Sequence, residues 1–217
     1  EVIISIEDEN GVKIPPLEYL QAAEHYSRMH LVDRWTLEQL IKWMSTHKDE
    51  VASVDRFMLK LSGYSMNDDS LLAFIFEQAR EHDIPVDKFC FELNETSAIQ
   101  NIEDAADFMH EMRSLGCEFT LSDFGTGQSS FEYLKQLPVN YVKIDHTFIS
   151  ELVTSSADYA MVKSIHEIAH FMAKKTIAEQ VNDEDTLNIL RSIGVDLAMG
   201  GQLNKAIPLS ELSHSLA

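Results

Sequence analysis

The chain reads as an α/β protein of the (β/α)8 TIM-like barrel class, and three observations lead there. Short apolar runs of strand character alternate with longer helical patterns, the sequence opens in such a run, and no glycine-rich loop follows it. The alternation implies parallel strands joined by helical crossovers. The missing loop weighs against an open doubly wound sheet, the other architecture that alternation allows. A length of 217 residues suits one barrel, and no linker, repeat or low-complexity tract divides it, so a single domain over 1–217 is expected.

The elements follow in order. EVIISI (1–6) is the first strand-like run, and Pro15–Pro16 before LEYLQAAEHYSRM marks a helix start. Leu37, Leu40, Ile41 and Met44 share one helical face. VDRFMLKL (54–61) is the second run, and Leu71, Leu72, Ile75 and Phe76 recur at helical spacing after it. KFCFEL (88–93), EFTLS (118–122) and NYVKI (140–144) come next. Ile165, Ile168, Ala169 and Met172 mark a further helix, followed by KTIAE (175–179) and VDLAM (195–199). These are seven runs where a closed barrel has eight, so the first strand is expected to be missing from the chain as given.

Composition narrows the function. Seventeen basic against thirty-six acidic residues give a net charge of −19, which excludes nonspecific binding to DNA or to an anionic membrane surface. No run approaches the roughly 18 apolar residues of a membrane span, so no direct membrane insertion is expected. Cys90 and Cys117 lie inside apolar strand runs, which suits reduced thiols and a cytoplasmic setting, free or as the cytoplasmic part of a membrane-attached protein. The nine histidines are scattered; His166 and His170, one helical turn apart on an outer helix, read as surface packing rather than as a zinc site.

In a barrel, chemistry collects at the carboxyl ends of the strands. Those ends carry Lys60, Glu92, Ser122 with Asp123, Lys143 with Asp145, Glu179 and Met199, and Glu1 lies in the opening run. A single ionisable residue at a strand end is most simply a cap or a loop pair. Six ends carrying chemistry together favour a common site, because charged groups at apolar strand edges are costly to desolvate.

The same residues carry a resemblance. SDFGTGQSS (122–130) with LPVNYVKID (137–145), FELNET (91–96), IAEQVN (177–182) and the opening EVI resemble, in order and spacing, the motifs of the EAL domain family, whose members hydrolyse cyclic di-GMP with two magnesium or manganese ions. The resemblance covers essentially the whole chain. It implies that Glu1, Glu92 and Asp123 stand where the family has metal ligands. Lys143 matches a lysine near the attacking water, Glu179 a glutamate with a base or metal role, and Glu95 a residue that holds the DFG loop. Gly125 and Gly127 let that loop turn.

Departures from the pattern are several. Ser122 replaces a metal-bridging aspartate and Lys60 a ligand asparagine. An ammonium about 4 Å from a dication at an effective dielectric near 20 is opposed by roughly 8 kcal/mol. Ser5 replaces a phosphate-facing arginine, Met199 a glutamine, Gln180 and Asn182 the glycine and last glutamate of AEGVE, and Ala206 a late proline. The candidate ligand pocket is therefore Ser5, Lys60, Asp123, Lys143 and Met199. The metal set Glu1, Glu92, Asp123 and Glu179 is expected to be vestigial, with no metal cofactor unless activity is retained.

The resulting expectation is a catalytically inactive domain, not an enzyme, that works through protein contacts in cyclic di-GMP signalling. A non-catalytic receptor for the dinucleotide is the alternative, and an active phosphodiesterase the third reading. Expected partners are a protein or a neighbouring sensory or GGDEF domain, possible cyclic di-GMP, and a second copy through the helix FEYLKQL, with no DNA.

Overall fold

The computed structural model describes residues 1–100, 102–126 and 131–212. It forms two compact units, one of Glu1–Glu92 with Glu111–Cys117 and one of Leu93–His110 with Glu118–Ala217.

The first unit opens with a single parallel bridge, Val2 to Leu59, in which the Val2 N–H donates to the Met58 carbonyl at 2.8 Å. A two-stranded antiparallel ribbon follows, β1 (Ile6–Glu7) with β2 (Lys13–Ile14). Of the expected strand over 1–6, only the Val2 bridge and Ile6, the first residue of β1, pair as strand. The cause is the acidic turn after it: an Asp8 carboxylate oxygen accepts from the N–H groups of Asn10 and Val12, both at 2.8 Å, and folds the chain back on itself.

Helices α1 (Pro16–His25), α2 (Met29–Thr46) and α3 (Lys48–Ser53) come next. Pro16 occupies the first turn of α1, where a missing N–H costs nothing. Leu37, Leu40, Ile41 and Met44 of α2 are fully buried, as their spacing requires. Strand β3 (Phe57–Lys60), helix α4 (Asp69–Glu81) and strand β4 (Phe89–Asn94) complete this part. β3 and β4 pair in parallel, Phe57 opposite Phe89 and Lys60 opposite Glu92. Nearly every residue of β4 is buried, which is why it opens on the apolar Phe89, Cys90 and Phe91.

The remaining elements are α5 (Glu95–Gln100), α6 (Ile102–Ser114), β5 (Glu118–Phe124), α7 (Phe131–Gln136), β6 (Tyr141–Ile144), α8 (His146–Ser150), α9 (Ser156–Phe171), β7 (Lys175–Ala178), α10 (Glu184–Ile193) and β8 (Leu197–Ala198). β5, β6, β7 and β8 pair in parallel, each with the next. The sheet runs β3-β4-β5-β6-β7-β8 in chain order, with no reversal. An unreversed order belongs to a barrel wall; a doubly wound sheet reverses at its switch point. Six of the seven expected runs are therefore strands of one sheet. Among the described residues no helix is long and apolar enough to cross a membrane.

Candidate active site

In the second unit the carboxyl ends of β5, β6 and β7 carry most of the chemistry. The register of β5 on β6 passes from Leu121 opposite Val142 to Phe124 opposite Ile144, so Ser122 and Asp123 face one residue, Lys143. This is a β-bulge, a device that bends a strand and re-aims a side chain. Asp123 takes φ +57°, the left-handed region that costs a non-glycine residue roughly 1–2 kcal/mol. Ser122 is buried, and among the described residues its Oγ has no hydrogen-bond partner. Lys143, in the middle of the apolar β6, is 1% exposed.

The loop after the bulge is held in place. The Gly125 N–H donates to the buried Glu95 carboxylate at 3.4 Å, and Thr126 Oγ1 donates to the Asp123 carbonyl at 3.0 Å. Gly125 sits at φ +103°, where a Cβ would come within 2.9 Å of the Phe148 ring. The expected anchoring role of Glu95 thus has a direct contact behind it; Gly127 lies outside the described residues.

Beyond β6, Asp145 caps α8 by accepting from the Thr147 N–H at 2.8 Å. His146 Nδ1 lies 3.6 Å from Asp145 Oδ1 and 3.9 Å from Glu179 Oε1. Asp145, His146 and Glu179 could together hold a cation, since one donor atom of each falls within 4.8 Å of the others. Sequence reading left His146 among scattered histidines; its position directly after the KID motif was the available signal. Met199 is locked by its backbone, donating to the Ala178 carbonyl and accepting from the Val181 N–H.

In the first unit Glu92 is buried at the end of β4, and Lys60 Nζ lies 4.0 Å from its Oε1. The Lys60 side chain is 55% exposed. Glu1 is exposed, one residue before the Val2 bridge to β3. Ser5 lines a groove of about 820 Å³ with Ile4, Ile6, Tyr26, Arg28 and Trp35, a largely apolar surface rather than a phosphate clamp.

Comparison with known proteins adds the following. The family model described as "EAL domain" matches residues 1–206. A protein of Shewanella oneidensis named cyclic di-GMP phosphodiesterase PdeB is 34% identical over 97% of the chain, which covers 24% of that protein. Cyclic di-GMP phosphodiesterase PdeF of Escherichia coli is 28% identical over the full chain, 29% of its own length. The chain thus spans a quarter to a third of the length of these relatives. Among solved structures, "PaMucR Phosphodiesterase, c-di-GMP complex" superposes with a TM-score of 0.89 at 25% identity, over 96% of this chain and 84% of that one. The expected barrel class is borne out by that match.

These findings overturn the expectation of an inactive, non-enzymatic interaction module, because the relatives it matches over nearly its whole length are named as phosphodiesterases. Nothing in the comparisons sets the chain apart as degenerate. The physical weakness of that expectation is visible at both positions on which it leaned. The Lys60 side chain is 55% exposed and its ammonium lies near the Glu92 carboxylate, so its repulsion of a cation is screened by solvent and offset by that charge. Ser122 supplies a buried, unsatisfied oxygen, a donor that hard cations accept.

Proposed function

The chain belongs to the EAL domain family, and from that premise we propose that it hydrolyses cyclic di-GMP to the linear dinucleotide with magnesium or manganese. The observation that carries this reading is the bulge at Ser122–Asp123, which spends backbone strain where a carboxylate residue follows a buried hydroxyl that has no partner among the described residues. A buried hydroxyl left without a partner costs about 1–3 kcal/mol, a cost that a bound cation removes. The donor set therefore fits a hard divalent ion. On the second unit Ser122, Asp123 and Glu179 would hold it; Glu1 and Glu92 match metal ligands of the family by the resemblance alone. When bound, the metal lowers the pKa of a water and offsets phosphate charge.

The chain's own residues supply the rest. Lys143, buried in β6, sets a fixed ammonium against the charge that builds on the phosphoryl oxygens. Glu179 takes the proton of the attacking water at a carboxylate oxygen, with the His146 imidazole beside it. Glu95 keeps the loop after Asp123 in register through Gly125. Water attacks phosphorus, one phosphodiester P–O bond breaks, and the departing ribose oxygen leaves with a proton.

The test is direct. Purified protein incubated with cyclic di-GMP and manganese should release linear dinucleotide on chromatography, a chelator should stop it, and Glu179→Gln should lower kcat by about 10²-fold or more. Product no higher than in the chelated control would overturn the assignment.

Several partners belong to the same reading. The length of the relatives favours a neighbouring sensory or GGDEF domain in a longer bacterial signalling protein. The buried thiols of Cys90 and Cys117, neither in a disulfide, favour a cytoplasmic setting; burial pushes Cys117 up to about 12, which keeps it unreactive. Contact between two copies through α7 remains a proposal in which Phe131 and Tyr133, half-buried, would take part, while Leu134 belongs to the core.

A further inference from the structure

A second cluster of metal-ligating side chains lies on the outer helix α9, built from donors of another kind. Residues 166–170 read His-Glu-Ile-Ala-His, which places two imidazoles one turn apart on one helical face. The rings stand 4.1 Å apart, centroid to centroid. What the sequence does not reveal is the third member. Asp196, just before β8, brings its Oδ2 to 2.9 Å from His170 Nε2. One ring nitrogen of each histidine and one carboxylate oxygen all lie within 4.8 Å of one another.

We propose that His166, His170 and Asp196 form a zinc site, three protein ligands with water as the fourth. The geometry is close to what zinc requires. Bonds of 2.0–2.1 Å in a tetrahedron put neighbouring ligand atoms about 3.3 Å apart. The His170–Asp196 edge is already near that value, and the His170 side chain is 46% exposed, so it can rotate to close the others. Two imidazoles with one carboxylate select zinc over magnesium, which takes oxygen ligands.

The surroundings are those of a built site. Thr176, fully buried in β7, touches two of the ligands: its Oγ1 lies 2.8 Å from His166 Nδ1 and donates to Asp196 Oδ2 at 3.0 Å. Its backbone N–H donates to the same Asp196 oxygen at 2.8 Å. Such outer contacts fix the orientation of metal ligands. Gly194 leaves room on the far side, since a Cβ there would press on His166 Nε2 at 3.3 Å. Glu167, between the two histidines in sequence, lies 3.9 Å from Lys163. A bound zinc would tie α9 to the segment entering β8.

The experiment titrates the full chain, stripped by chelation, with zinc chloride in competition with a chromophoric chelator and in excess magnesium. Wild type should bind one zinc that His170→Ala loses or holds at least tenfold more weakly. His146→Ala, which alters only the other candidate cluster, should keep that zinc. Cobalt substitution should give the intense visible bands of a four-coordinate ion in wild type and His146→Ala, and not in His170→Ala. His170 is half-exposed, so its variant should fold, which circular dichroism checks; should it not, His170→Gln takes its place. Equal zinc affinity in wild type and the His170 variant, or no zinc competed from a chelator of micromolar affinity, would overturn the proposal.

Discussion

At the scale of single residues, two of the five non-glycine positions with positive φ among the described residues lie in the motifs of the candidate site. Asp123 has φ +57° and Gln180 φ +55°. The resemblance explains the second, because Gln180 stands where the family motif has glycine; the first was not legible, since a bulge depends on which residue of β6 faces which of β5. Ser122 was legible as a departure but not as an opportunity, because burial and the missing partner are facts of packing. They lead to a prediction. Ser122→Asp would bury a carboxylate at a position 1% exposed, which is costly for an unpaired charge but stabilising once a cation binds it. In chelator, Ser122→Asp should unfold at lower temperature than wild type; in millimolar manganese the gap should close or reverse, through binding to the native state alone. Thermal unfolding with and without manganese measures this, and a gap that manganese leaves unchanged would remove Ser122 from the metal site.

At the scale of elements, six of the seven expected strands were readable because buried parallel strands are short runs of β-branched and aromatic residues. The opening run failed because apolar character alone does not form a ladder; its partner segment is too short and the acidic turn redirects it. What sequence could not show is how elements are tied together by buried polar groups. Asp33 of α2 is one such tie. Its Oδ2 accepts from the N–H of Ser62 at 2.8 Å and from the hydroxyls of Ser62 and Ser65, both at 2.6 Å, joining the helix to the segment after β3. Burial raises its pKa more than those three donors and the nearby His30 lower it. The native state therefore holds the Asp33 proton to higher pH than the unfolded chain does. Stability contributed by the protonated form is present below the unfolded value near 3.9 and is lost as pH rises through the raised native value. Asparagine keeps an acceptor and cannot ionise. Urea unfolding across that window should show wild type losing stability relative to Asp33→Asn as pH rises; parallel curves would mean that Asp33 does not titrate differently on folding.

At the scale of the whole molecule, the charge of −19 that argued against nucleic acid and anionic membranes also bears on the proposed substrate. Cyclic di-GMP carries two phosphate charges of the same sign as the chain, so its approach is opposed over a distance set by the ionic strength. The screening length falls from about 30 Å at 0.01 M salt to about 8 Å at 0.15 M. Over that range the distant carboxylates fade, while the buried Lys143, together with any bound metal, is screened less. Added sodium chloride should therefore raise kcat/KM for cyclic di-GMP at saturating manganese, with the change appearing in KM and little in kcat, because only encounter is affected. The same measurement tests the opposite local balance. A kcat/KM that falls steadily with salt would mean that attraction by the site's cations reaches further than the repulsion of the acidic surface. The acidity of the chain would then have no part in how the substrate arrives.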